Sequence, residues 1–233
     1  MKQEQGATLI TVLIIIILVT LLSTIAVKSG ILGLKIATNS QVNALLMRNS
    51  DSALFNVENP AQIARQLALD GMFAYFNSSA NANNELVFCY RAAQNSFFTL
   101  SKASAISINA AGNVTSTTKL GVDGYCKVNQ FSMGRSAVLS QVYLNKKNTS
   151  SAPFSDVPKG TSLGQSNVPV TSHSIGATVI SVLPSFSSAT ATQIESCFKQ
   201  RASAVGTCFE GLNIPYNMQH ADYIVGGQPK LVP

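Results

Sequence analysis

Charged side chains are scarce in this 233-residue chain, and the few that occur do not cluster. There are 10 acidic residues, 16 basic residues and two histidines. The acidic residues form no D-x-D-x-D-G loop and the histidines have no helical spacing, so the sequence gives no sign of a metal site or a cofactor. Lys146 and Lys147 form the only adjacent basic pair, and no zinc-finger, RNP-like or helix-turn-helix pattern accompanies them. Nucleic-acid binding is therefore not favoured.

Between Glu4 and Lys28 no side chain is charged. At about 1.5 Å per residue this stretch makes a helix of roughly 35 Å, enough to cross a bilayer core of about 30 Å. A cleaved secretory signal would have a shorter apolar region, of about 7 to 15 residues, and would end in a small-x-small site. The sequence therefore predicts a membrane helix. Its hydroxyl side chains can bond to carbonyl groups one turn earlier; they belong to Thr11, Thr20, Ser23 and Thr24.

The apolar stretch starts as GATLITVLI, directly after a short polar leader that ends at Gly6. This start resembles that of type IV pilin-like proteins, whose leader is cut after a glycine by a prepilin peptidase and whose new N-terminus is methylated. The resemblance, which in detail covers about the first thirty residues, implies cleavage between Gly6 and Ala7. Residues 1–6 would then be the leader, and residues 7–29 the transmembrane part of the N-terminal helix. A glycine suits such a site because a residue without a side chain lets a protease hold the backbone closely.

Thr11 departs from the pilin pattern. Most pilins carry a glutamate at this position, which is thought to neutralise the N-terminal amine of the neighbouring subunit. Subunits that lack this glutamate are similar to the PilX-type minor pilins and to the K-type pseudopilins of type II secretion, which lie at or near the filament tip. The alternative is that Thr11 is an ordinary helix residue that bonds to the Ala7 carbonyl.

The resemblance implies a non-enzymatic minor pilin of PilX type that helps prime type IV pilus assembly and supports adhesion, twitching motility or DNA uptake. Its implied partners are other minor pilins, the major pilin and the inner-membrane assembly platform, with a large tip adhesin as a further candidate. Before assembly the chain would cross the inner membrane once, with its large domain in the periplasm. After assembly it would lie at the extracellular pilus tip. A K-type pseudopilin is the alternative within the family.

Four cysteines form an even set without C-x-x-C spacing, which does not favour zinc or thioredoxin-like chemistry. In an oxidising compartment they are expected to pair, and three connectivities are open to them. The pairs closest along the chain are Cys89 with Cys126 and Cys197 with Cys208, and we predict these two disulfides. Together with the membrane helix, paired cysteines place the large domain outside the cytoplasm.

Residues 30–58 continue beyond the membrane segment with apolar side chains near helical spacing. We expect an amphipathic extension of the helix that packs against the exported domain. Gly30 and Gly33 lie at the junction, and each weakens a helix by roughly 1 kcal/mol. This region can unwind when a pilin enters the filament, so the resemblance makes both glycines candidate hinges. Helix packing through small residues is the alternative.

Residues 59–233 suffice for one globular domain. Asn59 and Pro60 predict the start of a second helix, and SSATATQIESCFKQRASAVG predicts a helix that ends at Gly206. Between them, segments rich in β-branched and aromatic residues predict strands: ELVFCYR, SFFTLS, SAISINA, SAVLSQVYLN and SIGATVISVLP. The order predicts an α+β domain around an antiparallel sheet. A pilin has this general layout, with the long N-terminal helix packed on the sheet and a C-terminal disulfide-bounded region in the position of the last cysteine pair.

A different function is raised by the pentapeptide GTSLG around Ser162, which fits the G-x-S-x-G motif of serine hydrolases. That chemistry needs the serine on a turn between a buried strand and a helix, with a histidine base and an acid. His173 and His220 are the only histidines, and Asp156 or Asp222 would be the acid. No apolar strand precedes the motif and no helix follows it, so we favour a loop here, with a membrane-anchored exported hydrolase as the alternative outside the family. We expect His173 at a strand start and His220 in an exposed C-terminal loop.

Overall fold

The computed structural model describes residues 5–94, 99–134, 137–147 and 172–226. The chain divides after Ala44 into two compact units. Within the described residues the α-helices are α1 (Gln5–Glu58), α2 (Ile63–Gln66), α3 (Met72–Asn77), α4 (Ala191–Phe198) and α5 (Ala202–Gly211). The strands are β1 (Glu85–Tyr90), β2 (Ser104–Ile108), β3 (Val114–Lys119), β4 (Leu139–Lys146), β5 (Ser172–Val182) and β6 (Tyr216–Gly226).

The first unit is formed by the part of α1 up to Ala44. Its large apolar side chains between Leu9 and Ile36 are all 50–72% exposed. A helix that is apolar on every side is stable inside a protein core or a membrane rather than in water. Among the described residues, α1 is the one helix long and apolar enough to cross a bilayer. It has the length and composition of a membrane anchor, and an N-terminal export signal meets the same test of apolar length.

The second unit is built around a six-stranded sheet in the order β3-β2-β1-β4-β5-β6, in which every neighbouring pair is antiparallel. Every residue of the central strand β1 is buried. Long apolar runs are typical of strands that are covered on both faces. The α+β class and the antiparallel sheet predicted from the sequence are therefore confirmed.

One face of the sheet is covered by residues 45–58 of α1 together with α2 and α3. The apolar core on this side includes Ala53 and Val57 of α1, Phe73 of α3 and Phe88 of β1. Polar contacts also join the helix to the sheet on this face. These residues are the C-terminal part of the segment predicted as an amphipathic extension, and they pack against the sheet as expected.

The other face of the sheet is covered by α4 and α5. Phe198 and Phe209 of these helices pack on each other with ring centroids 5.0 Å apart, and both are fully buried. The prediction of one helix ending at Gly206 was wrong, because the helix is interrupted between α4 and α5. Gly206 lies inside α5, where a Cβ atom would come within 3.1 Å of the Tyr216 hydroxyl. This glycine therefore permits helix–strand packing and is not a C-cap.

The helix predicted at Asn59 begins there but is short. The Asn59 side chain accepts a hydrogen bond from the Ala61 backbone N–H at 3.0 Å, as a capping residue does. A 3-10 turn leads into α2, which ends at Gln66. The chain then turns tightly at Gly71, where a Cβ atom would lie 2.4 Å from the Gln66 carbonyl oxygen.

Candidate functional site

The residues predicted to be processed or to act in assembly all lie in the first turns of α1. Gly6, Ala7 and Thr11 belong to this helix, which begins at Gln5. The structure does not test cleavage, so the role of Gly6 and Ala7 stays a prediction, as does the assembly role of Thr11.

Further along the same helix the hydroxyl groups bond back to the preceding turn. Thr20 donates to the Ile17 carbonyl at 2.9 Å, and Ser23 donates to the Val19 carbonyl at 2.7 Å. Thr24 makes the same kind of bond. Since these hydroxyls are satisfied within the helix, they are compatible with an apolar environment.

The two candidate hinge glycines lie inside α1. A Cβ atom added at Gly30 or at Gly33 would meet no atom within 4 Å. No close approach among the described residues therefore requires a glycine at either position. The hinge role stays a prediction about the intrinsic helix preference of glycine.

Both disulfides of the second unit have the predicted connectivity. Cys89 of β1 is joined to Cys126, and Cys197 of α4 is joined to Cys208 of α5. The first bond ties the loop that precedes β4 to the centre of the sheet, and the second holds the two helices of the α4–α5 layer together. The α4–α5 layer is thus held together covalently as well as by its apolar core.

The residues weighed for hydrolase chemistry are described only in part. Ser162 and Asp156 lie outside the described residues. His173 is the second residue of β5, in agreement with the predicted strand start. His220 was expected in a C-terminal loop, which was wrong: it lies in β6, because this segment pairs with β5 along its whole length.

A polar cleft of about 360 Å³ opens on the α4–α5 face of the sheet, beside the start of α5. We call it the polar cleft. Its floor comes from β1, β4, β5 and β6, and its wall from the first residues of α5. Polar side chains from five elements converge here, and these are Glu85, Asn145, Thr178, Arg201, Ser203 and His220.

Strand register and one glycine build this floor. Glu85 is aligned with Asn145, Asn145 with Gly176, and Gly176 with Asp222. A Cβ atom at Gly176 would lie 2.5 Å from the Asn145 Oδ1 atom, 2.8 Å from Lys147 and 3.1 Å from His220. The missing side chain therefore lets three polar side chains approach one another above the strand.

Glu85 is the most buried charged group of the polar cleft, with 8% of its surface exposed. Its Oε2 atom accepts a hydrogen bond from the Ala202 backbone N–H at 2.9 Å, at the start of α5. Burial raises the pKa of the Glu85 carboxyl, and the Ala202 N–H and the Arg201 charge offset only part of this effect. The carboxylate is thus held at a helix N-terminus, where negative charge is favoured.

His220 lies in a hydrogen-bonded row on the cleft floor. Its Nδ1 atom is 2.9 Å from the Thr178 hydroxyl, and its Nε2 atom is 2.9 Å from the Asp222 Oδ1 atom. Lys147 lies 3.1 Å from the same carboxylate oxygen. Desolvation raises the pKa of Asp222, but the hydrogen bonds and charges of Lys147 and His220 outweigh it and lower that pKa. Thr178 lies in the middle of β5 and not on a turn between a strand and a helix.

Sequence reasoning missed the polar cleft. Glu85, Asn145, Thr178 and Arg201 are far apart in the chain, and only strand register brings them together. The available signal was weak: Gly176 and Thr178 interrupt the apolar alternation of β5 on one face.

Comparison of the chain with protein-family models, with curated proteins and with solved structures gave no match. Among the described residues, no three His, Cys, Asp or Glu side chains lie close enough together to hold a metal ion.

Proposed function

We propose that this protein is a minor pilin of PilX type, which helps prime type IV pilus assembly and remains at or near the pilus tip. The observation that carries the proposal is Gly6 followed at once by a helix that is apolar on all sides. Such a helix needs a bilayer or the core of a helical bundle to cover it. A pilin uses both environments in turn, first as a membrane protein and then as a filament subunit.

The second unit supports the same assignment. An antiparallel sheet packed against residues 45–58 of α1 has the layout of a pilin domain. Its cysteines are all paired within the described residues, as in a domain that folds in an oxidising compartment. The chain would therefore cross the inner membrane once, carry this unit in the periplasm and enter the filament from there.

Thr11 supports the position at the tip. An ammonium group buried in a bundle of apolar helices is costly unless a negative charge neutralises it. A threonine cannot supply that charge, so this subunit is suited to a place where no neighbouring amine has to be received. Its partners would be other minor pilins below it, the major pilin, the assembly platform and a large tip adhesin.

The proposal is tested by comparing Thr11→Glu with Thr11→Gln, which adds a side chain of the same size without the charge. We expect wild-type protein, labelled on its exported unit, at the ends of sheared filaments. Thr11→Glu should lower the number of pili per cell severalfold or move the label into the shaft, because its carboxylate can neutralise an incoming amine. Thr11→Gln should behave as the wild type.

Counting pili, together with an assay of protein secretion in a deletion strain, also separates pilus function from type II secretion. Wild-type label spread evenly along the shaft, or equal behaviour of the two Thr11 variants, would contradict the tip assignment. A normal number of pili in a deletion strain, together with a loss of protein secretion, would identify the K-type pseudopilin instead.

A further inference from the structure

The polar cleft has hydrogen-bonding capacity that the described residues leave unused. The Nε atom of Arg201 is buried and has no hydrogen-bond partner there. The side chains of Asn145 and Ser203 line the cleft and bond to no other described side chain. Buried polar atoms are normally paired. The unpaired Nε atom belongs to a residue that lines the cleft, so the guanidinium of Arg201, the amide of Asn145 and the hydroxyl of Ser203 are the groups that a ligand there would bond.

The charges of the polar cleft are balanced. Its lining contains one carboxylate and one guanidinium, Glu85 and Arg201, and the carboxylate lies in the field of Arg201. Outside the lining, Asp222, which contacts His220, is paired with Lys147. A site for phosphate or another strong ion would carry an excess of one sign. The balance favours a neutral ligand that is rich in both hydrogen-bond donors and acceptors.

The volume and the lining of the polar cleft restrict the class of ligand further. A volume of about 360 Å³ is near the lower end for small-molecule sites, which begin at roughly 300 Å³. Met218, 40% exposed, adds an apolar surface beside the polar groups. The site thus offers a carboxylate acceptor, guanidinium and amide donors and a thioether next to one another.

We infer that the polar cleft binds an N-acetylated amino sugar, as one unit of a glycan. The acetamido group combines an N–H donor for Glu85, a carbonyl acceptor for Arg201 and a methyl group for Met218. The ring hydroxyls, each a donor and an acceptor, match the amide of Asn145 and the hydroxyl of Ser203. This inference does not rest on the proposed pilus function.

The test uses the full chain in detergent micelles and isothermal titration with three probes. N-acetylglucosamine should bind with a Kd on the order of 1 mM, as expected for a ligand of this size. Glucose, which lacks the acetamido group, should bind at least tenfold more weakly. N-acetylalanine methylamide offers the amide without the sugar ring and should also bind at least tenfold more weakly.

Two variants locate the binding. Ser203→Trp fills the cleft from the exposed start of α5 and should weaken N-acetylglucosamine binding at least tenfold. Thr192→Trp adds the same side chain at an exposed position of α4 outside the cleft and should leave the Kd unchanged. Equal binding by Ser203→Trp and the wild type would overturn the inference, as would the absence of binding at ten times the expected Kd. If N-acetylalanine methylamide bound as tightly as N-acetylglucosamine, the inferred sugar ligand would be wrong and the cleft would be a site for a peptide.

Discussion

The two units of the chain contain the same apolar residue types in opposite surroundings. Ile16 in the first unit is 57% exposed, whereas Ile180 in the second unit is completely buried. Burial of an isoleucine side chain is worth about 1.5–3 kcal/mol, so a row of exposed ones is not sustained in water. The comparison indicates that the apolar side chains of the first unit need an apolar environment outside that unit, whereas those of the second unit are buried in its own core.

The polar groups of the two units differ in the same way. Hydroxyls of the first unit, such as that of Thr20, bond to their own helix. In the second unit, Ser50 of α1 bonds to Ser181 of β5 at 2.8 Å, and Ser181 to Ser140 of β4 at 2.8 Å. The hydroxyl bonds of the first unit thus lie within one helix, whereas these bonds of the second unit join separate elements and help to fix one packing arrangement.

Loss of the disulfides should have the largest effect on stability, and only on the second unit. In the chain-entropy estimate, removing Cys89–Cys126, with a sequence separation of 37, costs about 4 kcal/mol. Removing Cys197–Cys208, with a separation of 11, costs about 3 kcal/mol. Double Cys→Ala variants in detergent, unfolded with urea, should show these losses in the free energy of unfolding.

The same variants should still fractionate with membranes, because the first unit contains no cysteine. A double variant with unchanged stability would show that the second unit depends on its core alone. A variant released from the membrane would show that the two units are not independent.

A charge in the first unit should have an effect that the same charge in the second unit lacks. Ile16→Arg places an arginine in the middle of the apolar stretch, where insertion costs about 3 kcal/mol. Val122 in the second unit is 66% exposed, so Val122→Arg should change stability by less than about 0.5 kcal/mol. Ile16→Arg should reduce the fraction of protein that resists carbonate extraction from membranes, and Val122→Arg should not. Equal extraction of the two variants would mean that the first unit is not in lipid.

Glu85→Gln should remove a small pH dependence that belongs to the second unit alone. The pKa of Glu85 is raised above its ordinary value of 4.5 by burial. The folded state therefore binds the proton more tightly, and stability falls as pH rises from about 4.5 through the raised folded value. Asp222, whose pKa is lowered, titrates below this range.

In Glu85→Gln the amide oxygen can still accept from Ala202, so the fold should be kept. Urea unfolding between about pH 4 and about pH 7 should show a flatter profile than that of the wild type. An identical profile would contradict the raised pKa.

The parts predicted from the sequence are those with a local signal. The apolar stretch, the Asn59 cap, the pairing of neighbouring cysteines and the apolar strands β1 and β4 were all visible in short windows. β3 was missed because all six of its residues are exposed and polar or small apart from Val114, which gives no alternation. In the described part of SFFTLS, Leu100 begins a 3-10 turn, so the predicted strand was wrong there.

The missed features depend on register and on contacts between distant segments. β6 is an outer strand whose pattern is dominated by polar residues, and its partner β5 defines it. Gly206 follows a helix-ending pattern in sequence, but the contact with Tyr216 decides its role. The polar cleft exists because Gly176 stands opposite both Asn145 and Asp222, which no short window shows.

The central proposal is that the first unit is a pilin helix whose leader is removed by cleavage after Gly6, and the N-terminal residue of the mature protein tests it most directly. Sequencing and intact-mass measurement of protein recovered from sheared filaments or membranes should find Ala7 as the first residue, with a methylated amine. Gly6→Val should leave the uncleaved precursor in the membrane, because its side chain obstructs the close approach that glycine permits. Gly33→Val, the same change farther along the helix, should leave cleavage intact. A mature chain that begins at Met1, or close to Lys28 as after removal of a secretory signal, would contradict the pilin assignment.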